Sequence, residues 1–157
     1  MTNNNENKIC LPVLLTKAPD GVARVVGGKE YPCLCGTVRF YKTDCGAIVA
    51  SEINGLPKKG VFAFHIHEGS GCCDEFEHTG SHYNPQNCKH PYHAGDMPPL
   101  FSSAKGCAMS VFLTDRFCVG EVIGRTVIIH SQADDFTTQP SGNAGEKIAC
   151  GEIKPCV

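Results

Sequence analysis

The sequence predicts an all-β fold, an antiparallel barrel or sandwich, on three observations. Short runs of alternating apolar and polar residues follow one another at close spacing, most regularly from Gly36 onward. Turn formers separate them, as in Thr43-Asp44-Cys45-Gly46 and Asn54-Gly55-Leu56-Pro57. No segment of useful length carries the 3.6-residue period of an amphipathic helix. Short strands joined by tight turns pair antiparallel and close into a barrel or stack as a sandwich.

Residues 1–8 are polar and Asn-rich and read as a disordered tail, without the basic start and apolar core of a secretory signal. Residues 9–15 and 22–26 are apolar runs separated by Pro19-Asp20-Gly21, which predicts a hairpin or an extra strand near the start of the chain. From Gly36, Val38 and Phe40 face one way while Arg39 and Tyr41 face the other, and the chain turns into a strand over residues 47–53. In Val61-Phe62-Ala63-Phe64-His65-Ile66-His67 the bulky Phe62, Phe64 and Ile66 take one face, so both imidazoles take the opposite one. Later strands are expected over residues 107–113, 125–130 and 147–153. The connection between residues 67 and 107 is little strand-like and needs another source of order, such as metal ligation or a disulfide. Residues 132–146 form a second, shorter loop.

A chain of 157 residues is expected to be one domain with a sizeable core. Lys and Arg number 14 against 16 Asp and Glu, a net charge of −2 with no basic run, which argues against nucleic acid as a partner. No apolar stretch approaches membrane-spanning length, and the chain is expected in the cytoplasm. Eleven cysteines, an odd number, leave at least one without an intramolecular partner. No C-x-x-C pair occurs, so most are expected to be small buried apolar side chains of a reducing compartment.

The stretch 64–96 stands apart. It holds six of the seven histidines, His65, His67, His78, His82, His90 and His93, and ends in Asp96; only His130 lies elsewhere. Imidazole nitrogens with one carboxylate suit zinc or copper, not calcium or magnesium.

Five separated motifs, in one order across residues 35–154, resemble the copper-zinc superoxide dismutase family. They are Phe64-His65-Ile66-His67-Glu68, Gly80-Ser81-His82-Tyr83-Asn84-Pro85, His93-Ala94-Gly95-Asp96, Gly124-Arg125-Thr126-Val127-Ile128-Ile129-His130 and Gly142-Asn143-Ala144-Gly145-Glu146-Lys147-Ile148-Ala149-Cys150-Gly151. The resemblance implies a Greek-key β-barrel of about eight antiparallel strands spanning residues 21–157, with residues 1–20 as a tail and extra strand. The metal site then lies outside the barrel under two long loops, a metal loop and a short loop of the electrostatic type.

By the same resemblance, copper is held by His65, His67, His82 and His130, and zinc by His82, His90, His93 and Asp96, with His82 shared. Asp134 is expected to link His65 to His90 through the ring nitrogens that metal does not use. Cys150 is expected to form a disulfide with Cys72 or the adjacent Cys73. His78 matches no ligand, and Arg125 matches a structural arginine. The implied activity is superoxide dismutation, in which superoxide alternately reduces and reoxidises copper, giving dioxygen and hydrogen peroxide. Superoxide is then the small-molecule partner, and a homodimer stands beside a monomer as the assembly.

Departures from the family pattern matter. Lys147 stands where the family places an arginine that attracts and orients superoxide, so charge is kept and the planar fork lost. Ser141 replaces a channel threonine, the loop 132–146 contains no lysine, and His90 and His93 are only three residues apart. These keep a second reading in view, a non-catalytic copper- and zinc-binding protein of the same fold. A cysteine-rich redox or metal-buffering protein is a third, and the cysteine spacings offer it little support.

Overall fold

The computed structural model describes Pro12 and residues 16–156; the expected tail, the rest of the 9–15 run and Cys10 lie outside the described residues. Nine strands follow in the described chain: β1 (Gly21–Gly27), β2 (Cys35–Thr43), β3 (Gly46–Asn54), β4 (Val61–Phe62), β5 (Phe64–His67), β6 (Leu100–Phe101), β7 (Ala108–Thr114), β8 (Thr126–His130) and β9 (Lys147–Pro155). A 3-10 segment, Asp74–Thr79, lies in the long loop, and a one-turn helix α1 (Val119–Val122) precedes β8.

Seven strands form one antiparallel sheet in the order β5-β8-β9-β1-β2-β3-β7, and β4 pairs with β6 in a two-stranded ladder. The strand expected over 61–67 is broken at Ala63, whose carbonyl accepts from the His130 N–H (2.9 Å) and whose N–H donates to Gln132 (2.8 Å). The break lets one half pair with β6 and the other with β8. Because β4 runs straight into edge strand β5, and β6 leads through a turn closed by Ser103 N–H to Cys107 (2.8 Å) into edge strand β7, the two edges of the curled sheet are tied together. The connection through α1 carries the chain from β7 to β8 at the other side of the sheet, a Greek-key crossing.

Period-two alternation explains what the sheet encloses. Val25, Val38, Phe40, Val49, Ile53, Phe64, Ile66, Val127, Ile129 and Ile153 are all essentially without exposure and form one core cluster. Each such side chain contributes roughly 1.5–3 kcal/mol relative to leaving it in water. Tyr41 points away from this core as expected, yet it is buried, in a small outer cluster with Ile48 and Ala50. Its cross-strand partner is Ile48, and the pair covers itself.

The cysteines depart from expectation. Among the described residues the free ones, Cys33, Cys35, Cys45, Cys73, Cys88, Cys107, Cys118 and Cys156, are exposed rather than buried. Core positions in the strands are taken by larger apolar side chains, while these thiols fall in turns, loops and strand ends; Cys33 and Cys35, for instance, flank the inward-facing Leu34. Cys150 pairs with Cys72, not Cys73, across 78 residues, with a Cα separation of 5.7 Å. The bond joins β9 to the long loop between β5 and β6, beside Phe76 and Ile128.

Candidate metal centre

Strand β5 organises the site because it is an edge strand with free backbone groups on one side. The long loop satisfies them: Ile66 N–H donates to Gly95 (2.8 Å), Tyr83 N–H donates to Ile66 (2.8 Å), and Gly95 N–H returns to Tyr83 (2.8 Å). Isolated bridges then set His67 opposite His82 and His65 opposite Asp96. A Cβ on Gly95 would collide with the Ile66 carbonyl, so only glycine permits this approach. From the neighbouring strand, a bulge between Ile129 and His130 ends β8 and delivers His130 to the same face.

Two groups of side chains result. One ligand atom from each of His65, His67, His82 and His130, and one from each of His82, His90, His93 and Asp96, lie within 4.8 Å of one another in each group. His82 belongs to both. Nε2 of His67 and of His130 are 3.3 Å apart, and Nδ1 of His82 lies 2.8 Å from Asp96 Oδ1 and 3.4 Å from His93 Nδ1.

The outward ring nitrogens show why the inward ones are free to bind metal. His65 donates from Nε2 to Asp134 Oδ2 (2.7 Å), and His90 donates from Nε2 to Asp134 Oδ1 (2.8 Å). His67 donates from Nδ1 to the Gly80 carbonyl (2.9 Å) and His130 from Nδ1 to the Gly145 carbonyl (3.3 Å). These acceptors fix each tautomer, so the opposite nitrogen keeps its lone pair. Two of those nitrogens, His65 Nδ1 and His90 Nδ1, and with them Nε2 of His82, are buried without a hydrogen-bond partner, His90 Nδ1 lying 3.1 Å from the carboxylate oxygen Asp96 Oδ2. An orphaned buried imidazole nitrogen is costly, and a metal ion relieves it; the donor sets fit copper in one group and zinc in the other.

Burial favours the neutral form of four of the rings. It pushes His67 down to about 2 and His130 to about 3, with neighbouring imidazoles adding to the effect, and lowers His65 and His93 as well. For Asp134 and Asp96 burial acts in the opposite sense, but the hydrogen bonds from His65 and His90 to Asp134, and from His82 to Asp96, hold both carboxyls below their usual range. Neutral imidazoles beside ionised carboxylates are the states metal binding requires.

The remaining expected residues take the following places. Lys147 is half-buried, its Nζ donating to Thr79 Oγ1 (2.8 Å) and to the carbonyls of Phe76 and Gly80 (3.4 Å each). Burial lowers its pKa. It thus shares the Gly80 carbonyl with His67. His78 stands exposed beside Asp74, away from both groups. Arg125 stacks 4.0 Å over the Tyr83 ring and donates to the carbonyls of Glu121 and Glu68, holding the base of the loop. Asp135 accepts from Thr137 and Thr138 within its own turn. Gly142, at φ 69°, packs against Asp134 and His90, where a Cβ would overlap both.

Two contacts were not anticipated from the sequence: Gln139 binds the backbone of His90, and Arg116 binds the carbonyls of Pro91 and His93. Neither lies near a histidine motif. The short spacing of His90 and His93 was the one hint that this turn needs outside support.

Residues 34–153 match the family model for copper/zinc superoxide dismutase. The chain belongs to the copper/zinc superoxide dismutase family. It is 34% identical to "Superoxide dismutase [Cu-Zn]" of Legionella pneumophila over 87% of this chain and 88% of that protein. It is likewise 34% identical to "Superoxide dismutase [Cu-Zn] 2" of Aquifex aeolicus, over 76% and 78% of the two chains. A crystal structure of a SOD-like protein from Bacillus subtilis superposes with a TM-score of 0.70 at 32% identity, covering 83% of this chain and 95% of that one. This member of the family carries both the His copper group and the His/Asp zinc group.

Proposed function

We propose that the protein is a superoxide dismutase that holds copper through His65, His67, His82 and His130 and zinc through His82, His90, His93 and Asp96. The observation that carries this reading is the pair of preformed ligand groups sharing His82, with unpartnered ring nitrogens aimed into them. When bound, copper supplies one-electron redox chemistry, by which two superoxide ions and two protons become one dioxygen and one hydrogen peroxide.

The residues around it have separable tasks. Asp134 sets the tautomers of His65 and His90, while the Gly80 and Gly145 carbonyls set those of His67 and His130. Those four outward nitrogens are committed as donors and do not carry protons to substrate. His82 differs, because it belongs to both ligand groups, Nδ1 lying toward Asp96 and Nε2 unpartnered; Nε2 would be a copper ligand and, whenever it did not hold copper, the one ring nitrogen free to take up a proton and give it to product. Lys147 places positive charge beside His67 and draws the anion toward it. With its ammonium tied to the 76–80 loop, it positions superoxide less firmly than a guanidinium fork.

The test is dismutase activity of copper- and zinc-reconstituted protein with metal content quantified, beside His130→Ala. Activity that requires copper and collapses in the variant supports the reading. A fully metallated protein no more active than free copper ion overturns it and leaves a metal-binding protein of the same fold.

A further inference from the structure

His90 and His93 project from a turn of four residues, His90-Pro91-Tyr92-His93. Both residues are buried, at 3% and 6% exposure, yet Tyr92 between them is 69% exposed. An exposed turn must therefore aim two imidazoles at one point, although no strand or helix carries it. Its own backbone supplies little restraint, chiefly Tyr92 N–H to Lys89 (2.8 Å) and His93 N–H to Asp96 Oδ2 (3.0 Å).

The rest comes from two distant side chains. The Gln139 amide meets the His90 backbone twice: Nε2 donates to its carbonyl (2.7 Å) and Oε1 accepts from its N–H (2.9 Å). Only one orientation of the amide satisfies both. Arg116, between β7 and α1, donates from Nη1 to the Pro91 carbonyl (2.8 Å) and the His93 carbonyl (3.3 Å). His90 is thus held by its backbone through Gln139 and by its ring through Asp134, both from the second loop.

We propose that Gln139 and Arg116 are positioning residues, a side-chain clamp that aims Nδ1 of His90 and His93 and so sets the affinity and geometry of the zinc site. The inference rests on reading His82, His90, His93 and Asp96 as that site. Both residues are exposed and outside the core, so changing them leaves the barrel in place.

The experiment uses the full chain stripped of metal, with three readouts: zinc affinity by competition with a chromophoric chelator, the visible absorption of cobalt(II) bound in place of zinc, and melting of the metal-free protein. Gln139→Ala removes both bonds to His90; Gln139→Glu keeps the acceptor but sets an oxygen against the His90 carbonyl. Arg116→Ala removes both bonds to the turn; Arg116→Lys keeps the charge and one donor. The clamp predicts zinc affinity about 10- to 100-fold weaker in Gln139→Ala, Gln139→Glu and Arg116→Ala, with altered cobalt bands and a smaller loss in Arg116→Lys. Metal-free melting moves by less than about 4 °C. Affinities within about twofold of the parent and superimposable cobalt spectra overturn the clamp, as does a loss matched by collapse of the metal-free fold. If the unaltered chain takes up neither zinc nor cobalt, the zinc reading itself falls, a result visible before any variant is made.

Discussion

Asp134 touches more of the site than its place in a loop implies. One carboxylate accepts from His65 of the first ligand group and from His90 of the second, and Gly142 closes over it. Asp134→Asn keeps the shape but leaves one ring facing an amide NH2, so His65 or His90 must change tautomer or turn. The expected result is a 10- to 100-fold loss of metal affinity, read by chelator competition, with little change in the metal-free melt. At Lys147 the expectation is directional: Lys147→Arg raises kcat/KM for superoxide, and Lys147→Met lowers it about tenfold or more. Equal rates in all three would remove Lys147 from substrate guidance.

The same residues fix the response to acid. Folded His67 and His130 titrate at about 2 and about 3, below the ordinary 6.5 to which unfolding returns them. Between those values the unfolded chain binds more protons, so stability falls as pH falls. Asp134 and Asp96, depressed from 3.8, act in the same sense at lower pH. The urea midpoint of the metal-free protein is therefore expected to be level above pH about 7 and to drop steadily from about 6.5 toward 3; a midpoint that rose on acidification would contradict this.

At the scale of elements, the long loop is tied at several points: the β5 edge, Arg125 stacked over Tyr83, and Cys72 to Cys150. In the chain-entropy account a bridge across 78 residues contributes about 4 to 5 kcal/mol. Cys72→Ser should lower unfolding free energy by nearly that amount in urea titration, while Cys73→Ser changes little. The core strands and the histidine sets were legible because period-two alternation and clustered ligands are local signals, as in residues 61–67. Choosing Cys72 over Cys73 depended on the path of the kinked 74–79 segment, and the roles of Gln139 and Arg116 on contacts 49 and 25 residues away in sequence, which no local pattern encodes. The thiols misled for a related reason: composition tells how many there are, while their exposure follows from turn positions.

At the scale of the whole molecule, charge would decide how a superoxide anion arrives. The net charge is −2, and the cavity flanking Lys147 is lined by Glu30, Glu75, Glu77 and Glu146 against Lys29 and Lys147. A superoxide anion therefore gains little long-range attraction. Raising ionic strength from about 10 to about 150 mM should leave the rate constant unchanged or raise it, whereas an attractive field would make it fall.

The measurement that tests the central claim most directly is the fate of superoxide pulsed in large excess over copper- and zinc-loaded protein. A dismutase removes many superoxide ions per copper and yields dioxygen and hydrogen peroxide in equal amounts, one of each for two superoxide consumed. A single stoichiometric reduction of the copper, with no further turnover, would contradict the account.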